Sequence, residues 1–104
     1  MALFHSLMRY KNKKRIESFD MHGDKKATVR LASLRSFVVY MSSDYIIGEA
    51  EIREAAEAPS AKVVVYNDWD NIGQGAFREA QRLGMEVHKF GAFGHRLDEL
   101  NADI

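Results

Sequence analysis

The chain has 104 residues, 46% of them hydrophobic, with one proline, no cysteine and a formal net charge of zero. That length makes one domain, 1–104, able to bury ~65% of its unfolded surface around a single core. The composition excludes a disordered segment, a disulfide scaffold and a thiolate zinc site, and no apolar run approaches the ~20 residues of a membrane span.

The zero net charge hides an asymmetry. Residues 1–35 carry nine Lys/Arg against three Asp/Glu, and residues 36–104 carry six against twelve. Such a split predicts an acidic partner for the front of the chain and a basic one for the back, unless the halves neutralise each other in the fold. Met1 to Met8 is apolar but has neither a basic n-region nor a cleavage pattern, so no signal peptide is expected. The lack of cysteine fits a reducing compartment, and the expected location is cytoplasmic.

Taken in order, Leu3, Phe4, Leu7 and Met8 fall on one face of a short amphipathic helix, expected to dock on a sheet. Its continuation, Arg9-Tyr10-Lys11-Asn12-Lys13-Lys14-Arg15, holds five cations in seven residues. Arg9, Lys11, Lys13, Lys14 and Arg15 form a basic arm suited to an acidic surface or to nucleic-acid phosphates. Cations there also suit the negative pole of a helix end.

Residues 15–21 alternate weakly, His22-Gly23-Asp24-Lys25 signals a turn, and Lys26 to Ala32 alternates through Ala27, Val29 and Leu31. This pattern predicts a β-hairpin with one wet face. Ser36 to Met41 is a continuous apolar strand, buried on both faces. Ser42-Ser43-Asp44 signals a helix start with Asp44 as N-cap, and the helix is expected to run to about Ala58, where Pro59 stops it. Ile47, Ala50, Ala55 and Ala56 supply its inner face and Glu49, Glu51, Glu54 and Glu57 a wet one.

Lys62 to Asp70 begins as a β-branched apolar run and ends in an acidic, aromatic corner. The run is too short for a helix and predicts a buried strand over 62–67. Asp70 or Asn71 is the expected cap of the next helix. Ile72, Ala76, Ala80 and Leu83 make its stripe, with Phe77 beside it, and Gly84 stands at its C′ position. Met85 to Phe90 alternates as an outer strand, Gly91-Ala92-Phe93-Gly94 is expected to turn, and Phe93, Leu97, Leu100 and Ile104 space a last helix.

An internal echo runs through the middle of the chain. Val38-Val39-Tyr40 resembles Val64-Val65-Tyr66, Asp44-Tyr45 resembles Asp68-Trp69, and Ile47-Gly48 resembles Ile72-Gly73. Two copies of one β-α unit are expected. The fold class is therefore α/β: a five-stranded mixed sheet flanked by helices, with an N-terminal antiparallel hairpin and the last three strands parallel.

Parallel strands share a C-terminal edge, where open α/β sheets bind ligands. Here that edge collects Asp44, Tyr45, Asp68, Trp69, Asp70 and His95. Tyr45 and Trp69 each follow an aspartate, so an acidic, aromatic edge suits an Arg/Lys-rich protein or a second copy of the chain. The same carboxylates, Asp68 and Asp70 with Asp44, can hold Mg²⁺ together with substrate phosphates, with His95 as base or ligand. As helix caps, Asp44 and Asp70 would each instead contribute ~1 kcal/mol of stability. A zincin His-Glu-x-x-His, a serine nucleophile elbow and a dinucleotide fingerprint are absent, since Arg78 takes the place of the fingerprint's third glycine.

Asp24-Lys25-Lys26, with Asp20 upstream, has the letters of an acidic residue followed by an Asp-x-Lys tripeptide, placed at the hairpin turn. With the order helix, hairpin, strand, helix, strand, it is similar to the αβββαβ core of restriction-endonuclease-like nucleases. That resemblance implies a Mg²⁺-dependent nuclease or phosphodiesterase. The residues themselves lead to a different expectation: a non-enzymatic binding or regulatory protein working through protein contacts, without a cofactor. A non-catalytic nucleic-acid-binding protein is the third alternative.

Overall fold

The computed structural model of the chain describes residues 3–23, 25–31, 35–42, 46–66 and 71–102. Five long strands form one mixed sheet. They are β1 (Ser18–Met21), β2 (Lys26–Arg30), β3 (Ser36–Ser42), β5 (Val63–Tyr66) and β7 (Glu86–Lys89), in the spatial order β1-β2-β3-β5-β7. β1, β2 and β3 pair antiparallel, while β3, β5 and β7 pair parallel. Two-residue strands β4 (Ile46–Ile47) and β6 (Asn71–Ile72) form a second, parallel sheet. Four helices flank these sheets: α1 (Leu3–Asn12), α2 (Glu49–Ala56), α3 (Gln74–Arg82) and α4 (Phe90–Ala102).

Strand periodicity sorts the core into two layers. Ala27, Val29, Val39, Met41, Val63 and Val65 point to one face, where Leu7 of α1 and Phe93 and Leu97 of α4 complete a buried cluster. Tyr40 and Val64 point to the other face, against Ile52 and Ala55 of α2 and Ala76 and Ala80 of α3. β5 lies in the middle of the parallel strands and is apolar on both sides for that reason. Each fully buried valine or leucine contributes roughly 1.5–3 kcal/mol.

The hairpin half is covered along the whole of one side and, on the other, only at Lys26. Ala27, Val29 and Leu31 are fully buried, whereas Thr28 is half-buried and Arg30 exposed on the opposite side. On that side α2 and α3 pack with Tyr40, Val64 and their neighbours, and the expected wet face of the hairpin borders the edge of α2.

Three local expectations are corrected. α2 starts at Glu49 with Gly48 as N-cap, and the Glu51 carboxylate accepts from the Gly48 backbone N–H at 2.8 Å. α3 starts at Gln74 with Gly73 as N-cap. Asp44, Asp70 and Asn71 are therefore not the caps, because β4 and β6 occupy the positions between strand ends and helix starts. Ile47 is buried from β4 rather than from a helix, Ala50 is exposed, and Ile52 takes the inner position. Gly91 to Gly94 does not turn the chain but forms the first turns of α4. Gly94 lies under another part of the chain: a Cβ there would come within 2.5 Å of Arg15 Nη1.

The echo has a physical counterpart. Ile47 and Ile72 are opposite each other in the small parallel sheet, and the Gly73 N–H donates to the Ile47 carbonyl at 3.1 Å. In the large sheet the equivalence shifts, since Tyr66 is opposite Ser42 rather than Tyr40.

Candidate functional site

The expected ligand edge lies at the C-terminal ends of β3, β5 and β7. Asp44, Tyr45, Asp68, Trp69 and Asp70 lie outside the described residues, as does Asp24. The described residues on either side are held together: Ser42 is opposite Tyr66, and Ile46 is opposite Asn71. His95 is exposed on α4. Among the described residues no group of three His, Asp or Glu side chains is placed to hold a metal ion.

The basic arm is well defined. α1 ends in a Schellman motif: Arg15 N–H donates to the Tyr10 carbonyl at 2.9 Å and Lys14 N–H to the Lys11 carbonyl at 3.0 Å. Lys14 is the C′ residue and has φ 62°, a conformation that costs a residue with a Cβ roughly 1–2 kcal/mol. Arg9, Lys11, Lys13 and Lys14 are exposed, and none forms an ion pair with a described residue. Arg15 is placed differently. It is half-buried beside Gly94, its guanidinium lies 3.7 Å from the Asp98 carboxylate, and its carbonyl accepts from Asn101 Nδ2 at 2.7 Å. Tyr10 is likewise engaged, donating its hydroxyl to the Phe90 carbonyl at 3.1 Å.

Three of the six cations in residues 36–104 are paired, while Lys62, Arg78 and Lys89 are exposed and form no ion pair with a described residue. Arg53 pairs with Glu49 at 3.2 Å, Arg82 with Glu79, and Arg96 with Glu86. Arg96 donates to both Glu86 oxygens, at 2.9 and 3.1 Å, and holds that carboxyl below its usual range. Partial burial opposes the shift, and His88 at 2.9 Å adds to it. The Arg82 hydrogen bond likewise lowers the Glu79 carboxyl.

A cavity of about 390 Å³ opens between the hairpin turn, β3 and the end of α2. His22, Lys25 and Lys26 line it from the hairpin, and Glu54 and Glu57 from α2. Tyr40 lies between, donating its hydroxyl to Glu54 Oε2 at 3.3 Å. Lys26 is only 8% exposed, and its ammonium donates to the Glu57 carbonyl at 2.6 Å. Glu57 is the C-cap of α2, so the ammonium stands at the negative pole of that helix. The His22 ring folds over the hairpin, with Nε2 2.6 Å from Thr28 Oγ1.

Sequence reasoning did not find this cavity. Its walls come from residues 22–26 and 54–59, far apart in the chain. The available signals were a lysine on the wet face of a strand opposite Tyr40, and two glutamates three apart just before Pro59. Comparison with known proteins finds no family model, no curated protein and no solved structure that matches the chain.

Proposed function

We propose that this is a small non-enzymatic binding protein that acts through protein contacts, with the basic arm docking on an acidic protein surface. The observation that carries this reading is the state of the arm's cations. Arg9, Lys11, Lys13 and Lys14 stand exposed and free of ion pairs among the described residues, four cations within six consecutive positions, whereas Lys62, Arg78 and Lys89, exposed and without an ion pair there too, are scattered along the chain. Lys14 keeps its charge at a backbone position where glycine would be less strained. Unpaired cations clustered at one pole steer an acidic partner and raise its association rate. The acidic, aromatic residues Asp44, Tyr45, Asp68, Trp69 and Asp70 are the proposed second contact, for a basic partner or a second copy of the chain.

The test compares labelled poly-L-glutamate with a labelled DNA duplex over a range of salt concentrations. The proposal expects saturable binding of poly-L-glutamate that weakens as salt rises. That binding should fall about tenfold in Arg9/Lys11/Lys13→Ala, with folding intact. Preferential binding of the duplex, lost in the same variant, would replace the protein-contact reading with nucleic-acid binding.

One observation favours a second reading. With the two-residue β4 set aside, the order α1, β1, β2, β3, α2, β5 is the order of elements on which the nuclease resemblance rests. A Mg²⁺-dependent nuclease or phosphodiesterase would use Asp68 and Asp70, with Asp44 and His95. It predicts cleavage of a nucleic acid with Mg²⁺ or Mn²⁺ and a rise in melting temperature on metal addition. Absence of both removes it.

A further inference from the structure

The large sheet ends in β1 on one side and β7 on the other. The β7 edge, from α3 through β7 to α4, lies wholly within the continuous described stretch 71–102. The Glu86 N–H donates to the Lys62 carbonyl at 2.9 Å, on the β5 side. Backbone groups alternate along a strand, so those of His88 also face β5 and those of Val87 and Lys89 face outward. Among the described residues no strand lies beside them, which leaves a template for another strand.

Phe77 is a second, independent observation. It is 42% exposed, on a helix whose buried residues are Ala76 and Ala80. Gly75 and Glu79 mark the flank of α3 that faces α2: a Cβ on Gly75 would meet the Glu49 carboxylate, and Glu79 feels the charge of Arg53. Phe77 lies about 200° around the helix from both. Since α2 packs beside Tyr40 of β3 and α3 beside β7, that flank is the one above the open edge.

The strand is also self-complementary. Glu86 and His88 share its α4 side, where Arg96 holds Glu86. Antiparallel pairing of two β7 strands about Val87 sets Glu86 opposite the partner's His88, so an acid faces a base twice. On the other side it brings the two Phe77 flanks toward each other. β1 has no such match, because its one charged residue is Asp20.

We infer that two copies of the chain pair antiparallel through β7, joining their sheets into one, with the Phe77 side chains packed across the twofold axis. An edge paired with itself is closed, so assembly through it stops at a dimer. Neither the basic arm nor Asp44, Tyr45, Asp68, Trp69 and Asp70 takes part, and the pairing does not depend on the proposed function.

The test is sedimentation velocity of the full chain from low-micromolar to near-millimolar concentration, with amide hydrogen exchange followed by NMR at both ends of that range. A monomer–dimer equilibrium with no larger species is expected, and exchange of the Val87 and Lys89 N–H groups should slow as the dimer forms. Phe77→Lys changes an exposed side chain, sets two cations against each other across the axis and should weaken the dimer about tenfold or more. Val87→Pro removes only an outward N–H, which a strand edge tolerates, and should abolish the dimer. If Val87→Pro does not fold, Phe77→Lys decides. Arg9/Lys11/Lys13→Ala should leave the dimer unchanged, whereas head-to-tail association through the arm would be lost in that variant. A chain that stays monomeric throughout, a dimer whose Val87 amide is not slowed, or a dimer that Phe77→Lys leaves intact overturns the inference.

Discussion

α1 and α3 end by the same hydrogen-bond pattern with different residues at its critical point. In α3 the Gly84 N–H donates to the Gln81 carbonyl at 3.1 Å and the Met85 N–H to the Ala80 carbonyl at 2.9 Å. Gly84 has φ 74°. In α1 the equivalent residue is Lys14, with φ 62°. The surroundings explain part of the difference. The α3 motif brings Met85 and Ala80 into one buried cluster, so it serves the core. The α1 motif lifts a run of cations, none ion-paired among the described residues, to the surface and turns Arg15 back onto α4. One motif thus closes a helix on its core in one place and displays charge in the other, and only the second uses a residue that strains the backbone.

The largest effect on this comparison should come from Gly84→Ala. Adding a Cβ at positive φ costs about 1–2 kcal/mol, read as a lower denaturation midpoint, although no atom lies within 4 Å of the added carbon. The mirror experiment, Lys14→Gly, should stabilise the protein by about 0.5–1 kcal/mol while weakening poly-L-glutamate binding. A Lys14→Gly variant that is neither more stable nor weaker in binding would break the contrast between the two helix ends.

The paired cations give a smaller and pH-dependent effect. Arg96 depresses the native Glu86 carboxyl, so the unfolded state takes up its proton first as pH falls. The stabilisation from Glu86 is therefore complete above the ordinary carboxylate range and is lost as pH falls through the depressed native value. Glu86→Gln should cost up to about 1 kcal/mol at neutral pH, held to that size by the partial exposure of the pair. Urea melts at several pH values should show the gap closing on acidification. A gap that stayed constant would mean that ionisation of Glu86 contributes nothing to the difference.

Much of the fold was legible in local pattern. Val63 to Tyr66 reads as a strand because β-branched residues run unbroken, and its position between β3 and β7 requires burial on both sides. Ala27, Val29 and Leu31 alternate because one side of the hairpin is covered throughout and the other only at Lys26. Gly84 was legible because few residues other than glycine adopt its φ without strain. The helix starts were misread for a definable reason. Asp44 and Asp70 are strong capping residues, but the cap of α2 is satisfied in reverse, by the Glu51 side chain reaching back to a glycine N–H. Gly91 and Gly94 signal a turn in isolation, and the Arg15 guanidinium against Gly94 is a contact between distant parts of the chain. The cavity was illegible for the same reason, since no short window contains both of its walls.

The spatial order of the large sheet follows the chain, each long strand pairing with the next one along. No strand has to wait for a distant partner or insert between two that have already paired. The sheet can therefore grow by accretion in the direction of synthesis, with short loop closures that favour rapid folding. Closing the layer beneath it is another matter. Leu7 of α1 shares its cluster with Phe93 and Leu97 of α4, and Tyr10 and Arg15 are fastened to Phe90 and Asn101. The first helix must remain undocked on that side until the last has emerged, so the final cooperative step of folding belongs to the pair of helices farthest apart in the chain.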